Sequence, residues 1–238
     1  MAGHAPSSSA AAGFPVLRWF FSSLGKKTVV AVTGLVLVGF VTGHLLGNLT
    51  FFFGPDAMNT YAMKLQALGP LLWVVRIGLL VAVGLHIVFT MLLWKENQAA
   101  TPQKYAVKAP MKTTIFARTM RLTGLIVLAF VAFHLAHFTL WLVNPAFAGY
   151  QTLLNGHEVH DVYRMVVVGF QNPFVSGFYI LSLALVAFHL SHGVASLFQT
   201  LGLTNQTLRP KFEFLARIFA WTLFVGYSAI PVSILFYG

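Results

Sequence analysis

Five apolar stretches decide most of what this chain can become. Residues 28–53, 71–94, 122–143, 174–198 and 214–237 are each long enough to cross a bilayer, a distance that takes about 20 apolar residues at about 1.5 Å per residue. Pro70, Pro173 and Pro210 stand at or just before the starts of the second, fourth and fifth stretches, where the missing proline N–H costs a helix little. Only 8% of the chain is charged and 58% is hydrophobic, against about 25% charged in a soluble domain. The expected fold is an all-α membrane protein of five transmembrane helices. Residues 1–20 are expected to form a disordered or amphipathic N-terminal segment, and residues 21–238 the membrane domain. The first apolar run is too long for a signal peptide and lacks a small-residue cleavage site, so it is expected to be a retained span.

The net charge of +10 would suggest nucleic acid in a soluble protein. Here the basic residues cluster between apolar runs, which is the membrane pattern. Arg18, Lys26 and Lys27 flank the first span. Lys95, Lys104, Lys108, Lys112, Arg118 and Arg121 lie in or beside the second connection, and Arg209, Lys211 and Arg217 in or beside the fourth. The other side holds Lys64, Arg76 and Arg164. This asymmetry predicts a cytoplasmic N-terminus and an external C-terminus. The absence of cysteine excludes disulfides, thiolate-held iron–sulfur clusters and covalently attached c-type haem within the chain.

A repeat carries the chemistry. Residues 33–45 read TGLVLVGFVTGHL and residues 123–135 read TGLIVLAFVAFHL, with TGL, FV and HL at identical offsets. The second and fourth spans are related more weakly, through VAVGLH and LVAFH. Two parallel two-helix repeats and a fifth helix are expected, paired about an axis along the membrane normal. Counted from the basic edge, His44 and His134 lie about 25 and 20 Å deep, and His86 and His189 about 13 and 15 Å. Four intramembrane histidines thus form two depth-matched pairs, each drawn from two helices.

Two imidazoles complete a six-coordinate haem iron, a centre with no open position that suits electron transfer. His44 with His134 and His86 with His189 are therefore candidate axial ligands of two b-type haems. A lone membrane histidine can equally hydrogen-bond across a bundle, but depth-matched pairs on a repeat favour ligation. A divalent-metal pathway usually includes carboxylate or sulfur ligands, and no Asp or Glu falls within the five stretches. Gly43, Gly47, Gly84, Gly177 and Gly193 serve either haem clearance or plain helix packing. His137 and His192 each follow a proposed ligand by three residues, on the same helix face. They are alternative ligands, contacts for a haem propionate or quinone, or interfacial histidines in water.

At these residues the chain resembles the dihaem cytochrome b membrane anchor of succinate dehydrogenase and fumarate reductase, in the class with one five-helix anchor. The likeness covers nearly the whole chain after residue 20. It is carried by TGLVLVGFVTGHLLGN, VAVGLHIVF, RLTGLIVLAFVAFH and FHLSHG. The resemblance implies the same four ligands, with one haem at His86 and His189 towards the cytoplasmic subunits and another at His44 and His134 towards the outer face. It implies an iron–sulfur subunit and a flavoprotein as partners, docked on basic loops to which Lys104, Lys108 and Lys112 contribute. It further implies succinate oxidation by the complex, electron delivery to a quinone (typically menaquinone), and location in a bacterial cytoplasmic membrane. This chain itself would hold no dicarboxylate. Arg121 and Lys27 are expected either to pair with propionates of the inner haem or to anchor helix ends to headgroups. The outer cluster His157, Glu158, His160, Asp161 and Arg164 either exchanges quinone protons or is a solvated loop. The alternatives are a dihaem cytochrome b of a hydrogenase or formate dehydrogenase, and a haem-free transporter or assembly protein.

Overall fold

The computed structural model describes residues 15–100 and 114–237. It is mostly helical, and five helical segments are long and apolar enough to span a membrane. A short helix α1 (Pro15–Phe20) leads into α2 (Ser23–Asn48), which Ser22 caps by accepting from the Gly25 N–H at 3.0 Å. A 3₁₀ turn, Leu49–Phe53, and helix α3 (Pro55–Gln66) lead to α4 (Pro70–Ala99). Then come α5 (Ile115–His134), the antiparallel hairpin β1 (Gln151–Leu154) and β2 (His157–His160), α6 (Val162–Gln171), α7 (Pro173–Thr200) and α8 (Arg209–Tyr237). Prolines occupy the first turns of α4 and α7, and Arg209–Pro210 opens α8, as the sequence reading expected.

Several boundaries differ from that reading. The third span does not run to residue 143. A π-helical turn at Leu135–Thr139 ends it, and the Leu140 N–H reaches back to the Leu135 carbonyl at 2.8 Å. Helices α4 and α8 also extend beyond the apolar stretches, so they carry Glu96 and Glu213 at their polar ends. A hydropathy pattern stops where charge begins; a helix stops where its backbone is capped.

The long helices shuttle between a basic end and a capped end. At the basic end Lys26, at the start of α2, pairs with Glu96 at the end of α4. Phe198 and Phe212 close the turn from α7 to α8, ring centroids 4.6 Å apart. At the capped end α3, the hairpin and α6 form a lid. Its core joins Phe51, Met58, Val166 and Phe170 to Tyr179, Ile230 and Ile234. In cross-section the first four long helices form a square. Helix α2 packs beside α4 and α7, and α7 beside α5. Across the fourth side, from α5 to α4, the Arg121 guanidinium sits 5.0 Å from the Trp94 ring. The diagonals of the square are therefore α2 with α5, and α4 with α7. Helix α8 lies outside against α7. It is tied to α2 by the Tyr227 hydroxyl, which donates to the Val41 carbonyl at 2.7 Å. Leu80, Leu125, Leu181 and Val225 point outward, between 62% and 65% exposed. That apolar girdle suits hydrocarbon and would be costly in water.

Of the segment expected to be disordered, residues 1–14 lie outside the described residues, as do Lys104, Lys108 and Lys112.

Candidate functional site

Both histidine pairs lie on the diagonals. His44 of α2 and His134 of α5 form the upper pair, nearer the capped end. Their ring centroids are 6.0 Å apart with planes at 78°. Two imidazoles bound on opposite sides of one metal, through bonds of about 2 Å, have centroids about 6 Å apart. Aromatic rings hold this pair in place. Phe40 stacks on His44 at 5.3 Å and 13°, while Phe130, Phe138 and Tyr179 surround His134.

The lower pair is His86 of α4 and His189 of α7, which lie within electrostatic range of each other. Each is backed by the Thr-Gly dipeptide of the neighbouring long helix. Thr33 Oγ1 lies 3.1 Å from His86 Nδ1, and Thr123 Oγ1 lies 3.4 Å from His189 Nδ1. A Cβ at Gly34 would come within 3.4 Å of His86 Cε1, and one at Gly124 within 3.2 Å of His189 Cε1. The sequence repeat is thus a repeat in space: Thr-Gly of α2 cradles the histidine of α4, and Thr-Gly of α5 cradles the histidine of α7.

The threonines also fix the proton. A hydroxyl has one hydrogen. That of Thr33 is used on the Val29 carbonyl at 2.7 Å, and that of Thr123 on the Thr119 or Met120 carbonyl, each at 3.1 Å. Each oxygen can then only accept from the imidazole. The Val30 and Met120 carbonyls beside the two rings are likewise pure acceptors. The arrangement that satisfies all these partners at once has Nδ1 protonated, which leaves on Nε2 the free lone pair that a metal takes. Both threonines are buried, 7% and 3% exposed. Such a bond between membrane helices is worth about 0.6 kcal/mol on average, so its value for holding the fold is small.

The neighbouring histidines have other partners. His137 sits in the π turn, 3% exposed, with Nδ1 3.1 Å from the Tyr179 hydroxyl and Phe138 packed 4.1 Å away. It is not an interfacial histidine in water. Gly169 of α6 seats the lid here, since a Cβ would come within 2.7 Å of Phe138. His192 is half-buried beside Ser196, with Nε2 3.1 Å from its hydroxyl.

The glycines sort by contact. Gly43, Gly84 and Gly177 face open space, Gly47 backs the Tyr61 ring, and Gly193 meets Met120. Those that approach the ring of a candidate ligand pair are Gly34 and Gly124, which lie inside the repeated Thr-Gly motif. At the basic end Lys27 is exposed, while Lys26 is buried. Lys27 is the residue that opens the first apolar stretch, but which of two adjacent lysines is buried depends on helix phase, which their position in the sequence does not reveal. Arg121 is exposed and engaged with Trp94.

No family model matches this chain, and neither a curated protein nor a solved structure matches it.

Three members of the outer charged cluster, His160, Asp161 and Arg164, have structural partners. Asp161 caps α6 through the Arg164 N–H and accepts from Asn59 Nδ2, each at 3.0 Å. The Arg164 guanidinium lies 4.6 Å from the Tyr150 ring. His160 packs on Trp141 at 5.2 Å, and burial lowers its pKa against the raising influence of Asp161. Beside them an open-sided cavity of about 740 Å³ is lined by Gln66, Trp73, Arg76, Thr139 and Trp141. Trp141 has a left-handed φ of 55° and a buried indole N–H without a partner.

Proposed function

We propose that the chain is the dihaem cytochrome b anchor of a succinate:quinone oxidoreductase. The observation that carries the haem reading is the pairing itself: histidines of diagonally opposed helices stand at two depths, each depth-matched pair drawn from both repeats, with the upper rings 6.0 Å apart and the lower ones within electrostatic range. The residues fit the group. The upper rings have the spacing of two imidazoles on one metal, and the lower rings present Nε2 with its lone pair free. His44 and His134 would hold one b-type haem, and His86 and His189 the other. When bound, a bis-histidine haem supplies a one-electron redox centre without an open coordination position.

The chain's own residues do the rest. Thr33 and Thr123 hold the lower imidazoles in one tautomer. Phe40, Phe130 and Tyr179 keep water from the upper pair. In this reading the basic end faces the cytoplasm of a bacterium and receives an iron–sulfur subunit, with a flavoprotein carrying the dicarboxylate site beyond it. The cavity at the capped end, lined by Trp73, Arg76 and Trp141, seats a quinone headgroup. The choice of succinate dehydrogenase over another dehydrogenase rests on the resemblance of the four quoted segments.

The test is reduction of the purified complex by succinate, followed in the visible spectrum with dithionite as the control. Succinate should reduce the larger part of the dithionite-reducible b-type haem. Haem that dithionite reduces and succinate leaves oxidised, even with a mediator, would retain the cytochrome and reject the succinate partner.

A further inference from the structure

The repeated threonines have a role that helix packing does not require. Each already satisfies its hydroxyl hydrogen on its own helix. Thr42 and Thr119 make the same bond to a carbonyl four residues back, at 2.8 and 2.9 Å, and among the described residues neither hydroxyl is hydrogen-bonded to a histidine. What distinguishes Thr33 and Thr123 is the second contact, to an imidazole nitrogen of the neighbouring helix. Gly34 and Gly124 permit it, because the rings approach to where a side chain would begin. Among the described residues, neither ring of the upper pair has a hydroxyl set against it in this way. The two pairs therefore differ in kind, one gripped by hydrogen bonds and the other by aromatic contacts.

We propose that Thr33 and Thr123 are paired positioning residues that set the redox potential of the lower haem alone, each acting through the Nδ1 hydrogen of the histidine it cradles. This rests on the haem reading above. A hydroxyl oxygen accepting from Nδ1–H makes the imidazole a stronger donor through Nε2. A more basic ligand stabilises the oxidised, more positive iron. Removing the acceptor weakens that donation and raises the potential. The two threonines lie on different helices and are 90 residues apart, yet their histidines share one metal, so their substitutions must move the same redox component. No purely structural role of two separate threonines demands that coincidence.

The variants are Thr33→Val and Thr123→Val, which keep the shape and remove the oxygen, with Thr33→Ser and Thr123→Ser as rescues and Thr119→Val as the control. They are compared by redox titration of the two b-type haems in the intact complex, with haem content and the low-spin electron-paramagnetic-resonance signal alongside. Each valine variant should retain haem and raise one and the same component. At a fixed poise the reduced-to-oxidised ratio of that component should increase about threefold to tenfold, the upper end being about 59 mV for one electron. The serine variants should return it to the wild-type value, and Thr119→Val should leave both components in place.

Two results overturn the proposal while leaving the haem reading intact: valine variants with both potentials unmoved, or variants that move different components. Should a valine variant lose the lower haem outright, its serine partner decides. Serine that restores haem and potential supports the hydroxyl's role, and serine that restores neither rejects it. A wild-type complex with no b-type haem overturns the haem reading and this proposal together.

Discussion

Replacing either member of a histidine pair by alanine should remove one haem and leave the other. His44→Ala and His134→Ala should lose the same spectral component, and His86→Ala and His189→Ala the remaining one, so that haem per chain falls from two to about one in every variant. The selectivity follows from the diagonals of the square. The upper rings face each other at 6.0 Å, and each lower ring is tied to its own threonine. Neither pair can lend a ligand to the other depth. Nor is His137 free to replace His134, because it is buried against Phe138 and Phe147 and bonded to Tyr179. Haemochrome content and low-temperature spectra of the four variants decide the matter. The pairing is contradicted if His44→Ala and His134→Ala remove different components, or if His134→Ala keeps both haems.

The second large effect concerns the basic end. Lys26 bridges α2 to Glu96 of α4, and its side chain is 8% exposed against 44% for Glu96. The two partners are therefore unequal. Glu96→Ala strands a buried ammonium, and breaking a buried pair costs about 3–5 kcal/mol. Water reaches the Glu96 side, so about 2 kcal/mol is expected here. Lys26→Met instead leaves a half-exposed carboxylate that water can solvate, at a cost under about 1 kcal/mol. For a chain of this size about 2 kcal/mol corresponds to roughly 4–8 °C. In thermal denaturation of the detergent-solubilised protein, Glu96→Ala should fall by that amount and Lys26→Met by less than half of it. The double variant should track Lys26→Met. The reverse order would mean that the lysine is not buried as described.

The fold was largely legible because lipid imposes few solutions. Twenty apolar residues without an internal charge must be a helix, and prolines at positions 70, 173 and 210 mark where three of them begin. The capped end was not legible. Helices α3 and α6 are short, and the hairpin turns on Asn155–Gly156, both with positive φ. Connections of this kind are fixed by contacts such as Asn59 to Asp161, 102 residues apart. The π turn after His134 also escaped, since its five residues carry no periodic signal and it is stabilised by packing against α6 and α7.

The histidine pairs were readable because depth follows from counting residues along a helix. The partners of their rings were not, because rotation about the helix axis depends on neighbours. Thr33-Gly34 and Thr123-Gly124 stood in plain view as the repeat, and the signal lay in asking why Thr-Gly recurs eleven residues before a histidine. The answer is that the motif serves the histidine of the next long helix and not the one on its own. By the same logic the sequence leaves the cluster at residues 157–164 as either a proton-exchange site or a solvated loop, and only the contacts with Asn59, Tyr150 and Trp141 show that three of its members have structural partners.

The most direct test of the central claim, that the paired histidines ligate two haems, is a pyridine haemochrome assay on the purified protein, with protein quantified by amino-acid analysis. The account predicts two b-type haems per chain, both low-spin in the oxidised protein. A well-folded, five-helix protein that carries no haem, or one whose iron is high-spin with an open position, would contradict it.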